Sequence, residues 1–141
     1  MPSKKVLVVE DSAFMRKMIA EMINSDYELE VVGKAGNGQE ALEKIKELRP
    51  DVVVLDIEMP EETGIQLLQS LPQRPVTIFT TAFLHYSLEG FELGVMDYLV
   101  KPIRYERFER AVKKATDFLS LLQLKHNLEN DITDTSSLLI K

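Results

Sequence analysis

Apolar positions along the chain switch between two spacings. Val6-Leu7-Val8-Val9 and Val52-Val53-Val54-Leu55 are unbroken aliphatic runs, too short for helices and of the kind buried on both faces of a sheet. Val76-Thr77-Ile78-Phe79 and Asp97-Tyr98-Leu99-Val100 are less regular runs of the same kind. Leu29 and Val31 alternate with Glu28 and Glu30, which suits a strand near an edge. Between these runs the spacing becomes helical. Phe14, Met15, Met18, Ile19, Met22 and Ile23 share one face behind Ser12 as N-cap. Ala41, Leu42, Ile45 and Leu48 form a second stripe, closed by Pro50; Ile65, Leu68 and Leu71 form a short third, closed by Pro72. Leu84, Leu88 and Phe91 form a fourth, ended by Gly94. Phe108, Ala111, Val112, Ala115, Leu119 and Leu122 form a longer fifth.

Strand and helix thus alternate five times. Buried strands alternating with amphipathic helices predict an α/β fold, a doubly wound five-stranded parallel sheet with right-handed crossovers. The common order for such a sheet is 2-1-3-4-5, which opens a crevice at the C-terminal ends of strands 1 and 3. Residues 1–125 are expected to form this domain. Asn127 to Ser137 is polar with little periodicity and reads as a linker over 126–141. Leu138-Leu139-Ile140-Lys141 then reads as the opening of a strand of a further domain.

Composition narrows the chemistry. The chain has no Cys and two His, which excludes disulfides, thiolate zinc sites and His-rich metal sites. Lys plus Arg is 17 against 23 Asp plus Glu, a net charge of −6, so these residues make a poor nucleic-acid binder. No apolar run approaches the roughly 20 residues of a membrane span, and Met1-Pro2-Ser3-Lys4-Lys5 lacks the apolar core of a signal peptide. No membrane partner and a cytoplasmic location are expected.

Candidate chemistry gathers at the strand ends. Glu10 and Asp11 follow strand 1 and Asp56 follows strand 3. The predicted order sets these ends side by side, where like charges repel unless something offsets them. A few carboxylates with water and a phosphate are the usual setting for Mg²⁺. Lys101 after strand 5 and Thr81 after strand 4 can bring a positive charge and a hydroxyl to the same rim.

Glu10-Asp11, Asp56-Ile57-Glu58-Met59-Pro60 with Gly64, Thr81-Ala82, and Tyr98-Leu99-Val100-Lys101-Pro102 together resemble the receiver domain of two-component response regulators, a CheY-like, flavodoxin-like fold. The resemblance covers about residues 4 to 125 and extends to Ala35-Gly36-Asn37-Gly38-Gln39-Glu40-Ala41-Leu42. It implies that Asp56 accepts a phosphoryl group from a histidine kinase or phosphotransfer protein, with Mg²⁺ as cofactor. Glu10, Asp11, Asp56 and the backbone carbonyl of Glu58 would hold the metal. Thr81 and Lys101 would contact the phosphoryl oxygens, Thr81 and Tyr98 would form the switch, and the Lys101-Pro102 bond would be cis. Because the attacking carboxylate is expected to be already ionised, no general base is needed. The chain is then a phosphoacceptor with intrinsic self-phosphorylation and dephosphorylation, not an enzyme acting on a separate substrate.

Phe79-Thr80-Thr81-Ala82-Phe83, Gly94-Val95-Met96-Asp97 and Arg107-Phe108, with a short segment between Asp56 and Thr81, resemble the LytR/AlgR type. That type carries a LytTR DNA-binding domain after a linker. The resemblance implies dimerisation through helix 4, strand 5 and helix 5, with DNA bound only by a C-terminal domain outside these residues. A stand-alone phosphorelay receiver is the alternative. A third reading, a Mg²⁺-dependent aspartyl phosphohydrolase, requires an acid/base two residues after the nucleophile; Glu58 stands there, but its side chain is expected to point away.

Overall fold

The computed structural model describes residues 3–140, and the side chains of residues 3–131. The elements are β1 (Lys4–Val9), α1 (Ala13–Asn24), β2 (Leu29–Ala35), α2 (Gly38–Leu48), β3 (Val52–Asp56), α3 (Gly64–Ser70), β4 (Val76–Thr81), α4 (Ser87–Leu93) after a 3₁₀ turn at Leu84–Tyr86, β5 (Asp97–Val100) and α5 (Tyr105–Ile140). All strands are parallel, in the order β2-β1-β3-β4-β5.

The central strands are buried on both faces, so alternate residues feed two cores. Val6, Val8, Val52, Val54, Ile78 and Leu99 pack against Ile19 and Ile23 of α1 and Phe108, Ala111, Val112 and Ala115 of α5. Leu7, Val9, Val53, Leu55 and Phe79 pack against Ala41 of α2 and Ile65, Leu67 and Leu68 of α3. Side-chain caps start α1, α2 and α3: Ser12 accepts from the Met15 amide, Asn37 from Glu40, and Thr63 from Gln66, the last as a reciprocal capping box.

Strand register positions the site. Val9 pairs with Leu55, so Glu10 and Asp56 leave the sheet side by side. Asp56 pairs with Thr80 and Thr81 with Val100, which brings Thr81 and Lys101 to the same rim. The short segment between Asp56 and Thr81 leaves α3 as a helix of only 7 residues.

Three expectations are corrected. Phe14 faces solvent rather than the core of α1, with 77% of its surface exposed. It stands in the first turn, and the buried face of α1 is set by Ile19, Ala20 and Ile23. The apolar stripe of α4 is turned outward: Leu88 and Phe91 are 65% and 83% exposed. Gly90 faces inward instead, where a Cβ would stand 3.1 Å from Val95 Cγ2 and 3.4 Å from the Phe79 ring. The linker and strand expected over 126–141 are helical as far as Ile140; Lys141 lies outside the described residues. No Gly or Pro interrupts that stretch, and Gln123 bonds Asn127 as His126 bonds Asn130, so the helix propagates past its last buried turn. Among the described residues, no helix is long and apolar enough to cross a membrane.

Candidate functional site

Asp56, the last residue of β3, and Glu10, the first after β1, are both fully buried. Lys101 Nζ lies between them, 2.7 Å from Glu10 Oε1 and 3.2 Å from Asp56 Oδ1. The Ser12 amide donates to Glu10 Oε2 at 3.2 Å, and the Glu58 amide to Asp56 Oδ1 at 3.2 Å. Asp11 is exposed at the mouth of the crevice. Glu10, Asp11 and Asp56 each offer a carboxylate oxygen within 4.8 Å of the others. Asp56 Oδ2 is buried and, among the described residues, has no hydrogen-bond partner. An orphaned carboxylate oxygen beside two further acids is a donor set that fits a hard divalent cation.

The electrostatics correct one expectation. Burial, and then the adjacent Glu10 carboxylate, push Asp56 up to about 8 in the metal-free protein, against the expectation of an acceptor that ionises in the ordinary carboxylate range. Burial also acts against ionised Glu10, but the neighbouring Asp56 carboxyl, the Lys101 ammonium and the Ser12 amide outweigh this and hold it below its ordinary value. Lys101 is likewise opposed by burial, yet its two carboxylate partners keep its pKa raised.

Thr81 ends β4 fully buried. Its hydroxyl donates to Glu58 Oε2, and the Ala82 amide donates to Glu58 Oε1 at 2.7 Å. Glu58 therefore points into the site, against the expectation that it points away. Its backbone follows Asp56 along a turn held by the Ile57 amide on the Thr80 carbonyl at 2.9 Å, which aims the side chain across to β4. The Thr81 oxygen also accepts from the Phe83 amide at 3.1 Å, and the Phe83 carbonyl accepts from the Tyr98 hydroxyl. A hydrogen-bonded path thus joins Glu58 and Thr81 to Tyr98. The Lys101-Pro102 bond is cis.

The structure gives further residues a place around the site. Arg16 Nη1 donates to the Glu10 carbonyl at 2.7 Å, fixing the backbone that carries the acidic pair. Its only trace in the sequence is a cation in the first turn of α1, where the helix dipole disfavours one. Asp97 receives both terminal nitrogens of Arg107, at 2.8 and 2.6 Å, tying β5 to α5. Gly64 belongs to the motif but its reason is geometric: a Cβ would stand 2.4 Å from the Asp56 carbonyl oxygen.

Comparison with known proteins agrees with this geometry. Residues 6–113 match the family model of the response regulator receiver domain. Over 108 residues the chain is 58% identical to a protein-glutamate methylesterase/protein-glutamine glutaminase of Syntrophomonas wolfei, covering 72% of this chain and 31% of that protein. Over 131 residues it is 40% identical to an uncharacterized response regulatory protein of Vibrio parahaemolyticus, covering 92% of this chain and 54% of that protein. The chain therefore spans about half or less of the length of these relatives. The REC domain of the response regulator AraT from Geobacillus stearothermophilus superposes with a TM-score of 0.76 at 35% identity, over 85% of this chain and 98% of that one. The sheet order, the acidic crevice and the family match over most of its length agree: the chain belongs to the response regulator receiver domain family.

Proposed function

We propose that Asp56 is the phosphoacceptor, taking a phosphoryl group from a histidine kinase or phosphotransfer protein in the cytoplasm. The observation that carries this is the buried Asp56 carboxylate, one oxygen 3.2 Å from Lys101 Nζ and the other unpartnered among the described residues. In the transfer an Asp56 oxygen bonds to phosphorus as the P–N bond to the donor imidazole breaks, and the freed imidazole nitrogen takes up a proton. Mg²⁺, when bound, offsets negative charge on the transferring group; Glu10, Asp11, Asp56 and the Glu58 carbonyl are the residues that would hold it. Lys101 stays charged beside the acceptor and neutralises the same group from the protein side. Thr81 supplies a hydroxyl to a phosphoryl oxygen, and the path through Phe83 carries its displacement to Tyr98. Beryllofluoride with Mg²⁺ should bind wild type and not Asp56→Asn; binding that survives in Asp56→Asn, or fails in wild type, overturns the assignment.

Phosphorylation then controls an output through dimerisation on the face of α4, β5 and α5. Support comes from Leu84 of the 3₁₀ turn and Leu88 and Phe91 of α4, which turn outward beside exposed Phe83, an apolar surface that a second copy would cover. The output we favour is a LytTR-type transcription factor, with DNA bound by a following domain. The match to the Vibrio protein runs over 131 residues and so takes in part of the extended α5. The 58% identity to a methylesterase over 108 residues favours a second reading, in which the output is an esterase in a separate domain. The reading frame after Lys141 decides between them.

A further inference from the structure

The groups placed to receive a phosphoryl oxygen are already engaged. The Thr81 hydroxyl and the Ala82 amide both donate to the Glu58 carboxylate, one to each oxygen. Meanwhile the Glu58 backbone amide stays on Asp56 Oδ1 at 3.2 Å, so the side chain spans from the acceptor to the end of β4. A carboxylate resembles a phosphoryl group in charge and in presenting several acceptor oxygens, and it takes the same donors. Glu58 is half-buried, so its charge stays near the acceptor.

We infer that Glu58 is a built-in competitor for the phosphoryl-oxygen donors, a gate whose carboxylate must leave Thr81 and Ala82 before the site closes on phosphate. This rests on Asp56 being the phosphoacceptor and adds a regulatory residue to it. Two effects follow. Loading is slowed and weakened, because two hydrogen bonds to a carboxylate must break and a like charge must move aside. The resting position of Thr81, and through Phe83 that of Tyr98, is set by Glu58 rather than by solvent.

The test measures beryllofluoride affinity by calorimetry at saturating Mg²⁺ in wild type, Glu58→Ala, Glu58→Gln and the exposed-loop control Glu61→Gln. Glu58→Ala should bind roughly tenfold tighter, the factor given by about one charge-assisted hydrogen bond that no longer has to be broken. Glu58→Gln, which keeps an acceptor but no charge, should fall between, and Glu61→Gln should match wild type. The Ala82 amide, protected from hydrogen exchange in the free wild-type protein, should lose protection in Glu58→Ala. Equal or weaker binding by Glu58→Ala overturns the gate while leaving the phosphoacceptor reading intact. Loss of binding in every variant, wild type included, overturns the phosphoacceptor reading itself.

Discussion

Thr81 and Glu58 are joined side chain to side chain, the hydroxyl at the end of β4 donating to a carboxylate two residues beyond Asp56. The same Thr81 oxygen accepts the Phe83 amide, and the Phe83 carbonyl accepts the Tyr98 hydroxyl. Thr81 is therefore the node between the site and the aromatic ring. In Thr81→Ala the ring should no longer respond to the site. The change in Tyr98 ring resonances on beryllofluoride addition, expected in wild type, should vanish, while binding at Asp56 persists with affinity lower by roughly tenfold. A full Tyr98 response in Thr81→Ala would show that the path runs elsewhere.

Lys101 serves two buried carboxylates at once. Lys101→Met leaves both without their cation, and the metal-free domain should lose about 1–3 kcal/mol, the cost of stranding a buried polar group. The shift in urea midpoint measures this. Added Mg²⁺ should recover more stability in the variant than in wild type.

Asp56 gives the metal-free protein a pH dependence of definite sign. Its pKa is pushed up to about 8 in the folded state, against about 3.9 in an unfolded chain. Within that window the folded protein holds a proton that the unfolded chain has released, so stability falls as pH rises. Thermal unfolding in chelator should occur at a higher temperature at pH 5.5 than at pH 7.5, and Asp56→Asn should remove this slope. Asp97 runs the other way: burial raises its pKa, but Arg107 more than offsets this and lowers it. Its contribution is lost only as pH falls below the usual carboxylate range, outside the measured window.

Metal binding should be linked to the same proton. At pH 7, Mg²⁺ should displace about one proton from the site. The calorimetric enthalpy should then vary with the ionisation enthalpy of the buffer, and this variation should disappear above about pH 9 as Asp56 ionises by itself.

Gly64 and Phe91 make a contrasting pair. Gly64→Ala sets a methyl group 2.4 Å from the Asp56 carbonyl oxygen, an overpacking that should cost about 1–3 kcal/mol or more and weaken beryllofluoride binding by moving the acceptor. Phe91→Asp changes a large apolar residue, yet at 83% exposure it should alter stability by no more than about 0.5 kcal/mol. Its effect should fall on self-association: sedimentation with beryllofluoride should give a dimer for wild type and a monomer for the variant.

Much of this protein was legible in its sequence. The aliphatic runs Val6–Val9 and Val52–Leu55 could be satisfied only as strands covered on both faces, and the helical stripes between them left a doubly wound sheet as the solution. Polar residues directly after those runs, Glu10, Asp56, Thr81 and Lys101, had to emerge at one edge because parallel strands all end on the same side. Orientation was decided by contacts distant in sequence. Around α4, Tyr86, Gly90 and Leu93 form one helical stripe and Leu84, Leu88 and Phe91 another. Apolar content favours the second, but Tyr86 and Leu93 pack on the core around Phe79, and Gly90 between them, where a Cβ would stand 3.1 Å from Val95 Cγ2, lets the helix settle on that face. Glu58 could have faced solvent; the donors that turn it inward, Thr81 and Ala82, lie 23 and 24 residues away. The pKa of Asp56 was likewise not a property of its segment, since burial and Glu10 raise it and neither exists before the sheet forms. Local pattern fixes which elements form and where their ends lie, because hydrogen bonding and apolar spacing act over a few residues. Which face is covered and which charges meet is set by packing, and that requires the whole chain.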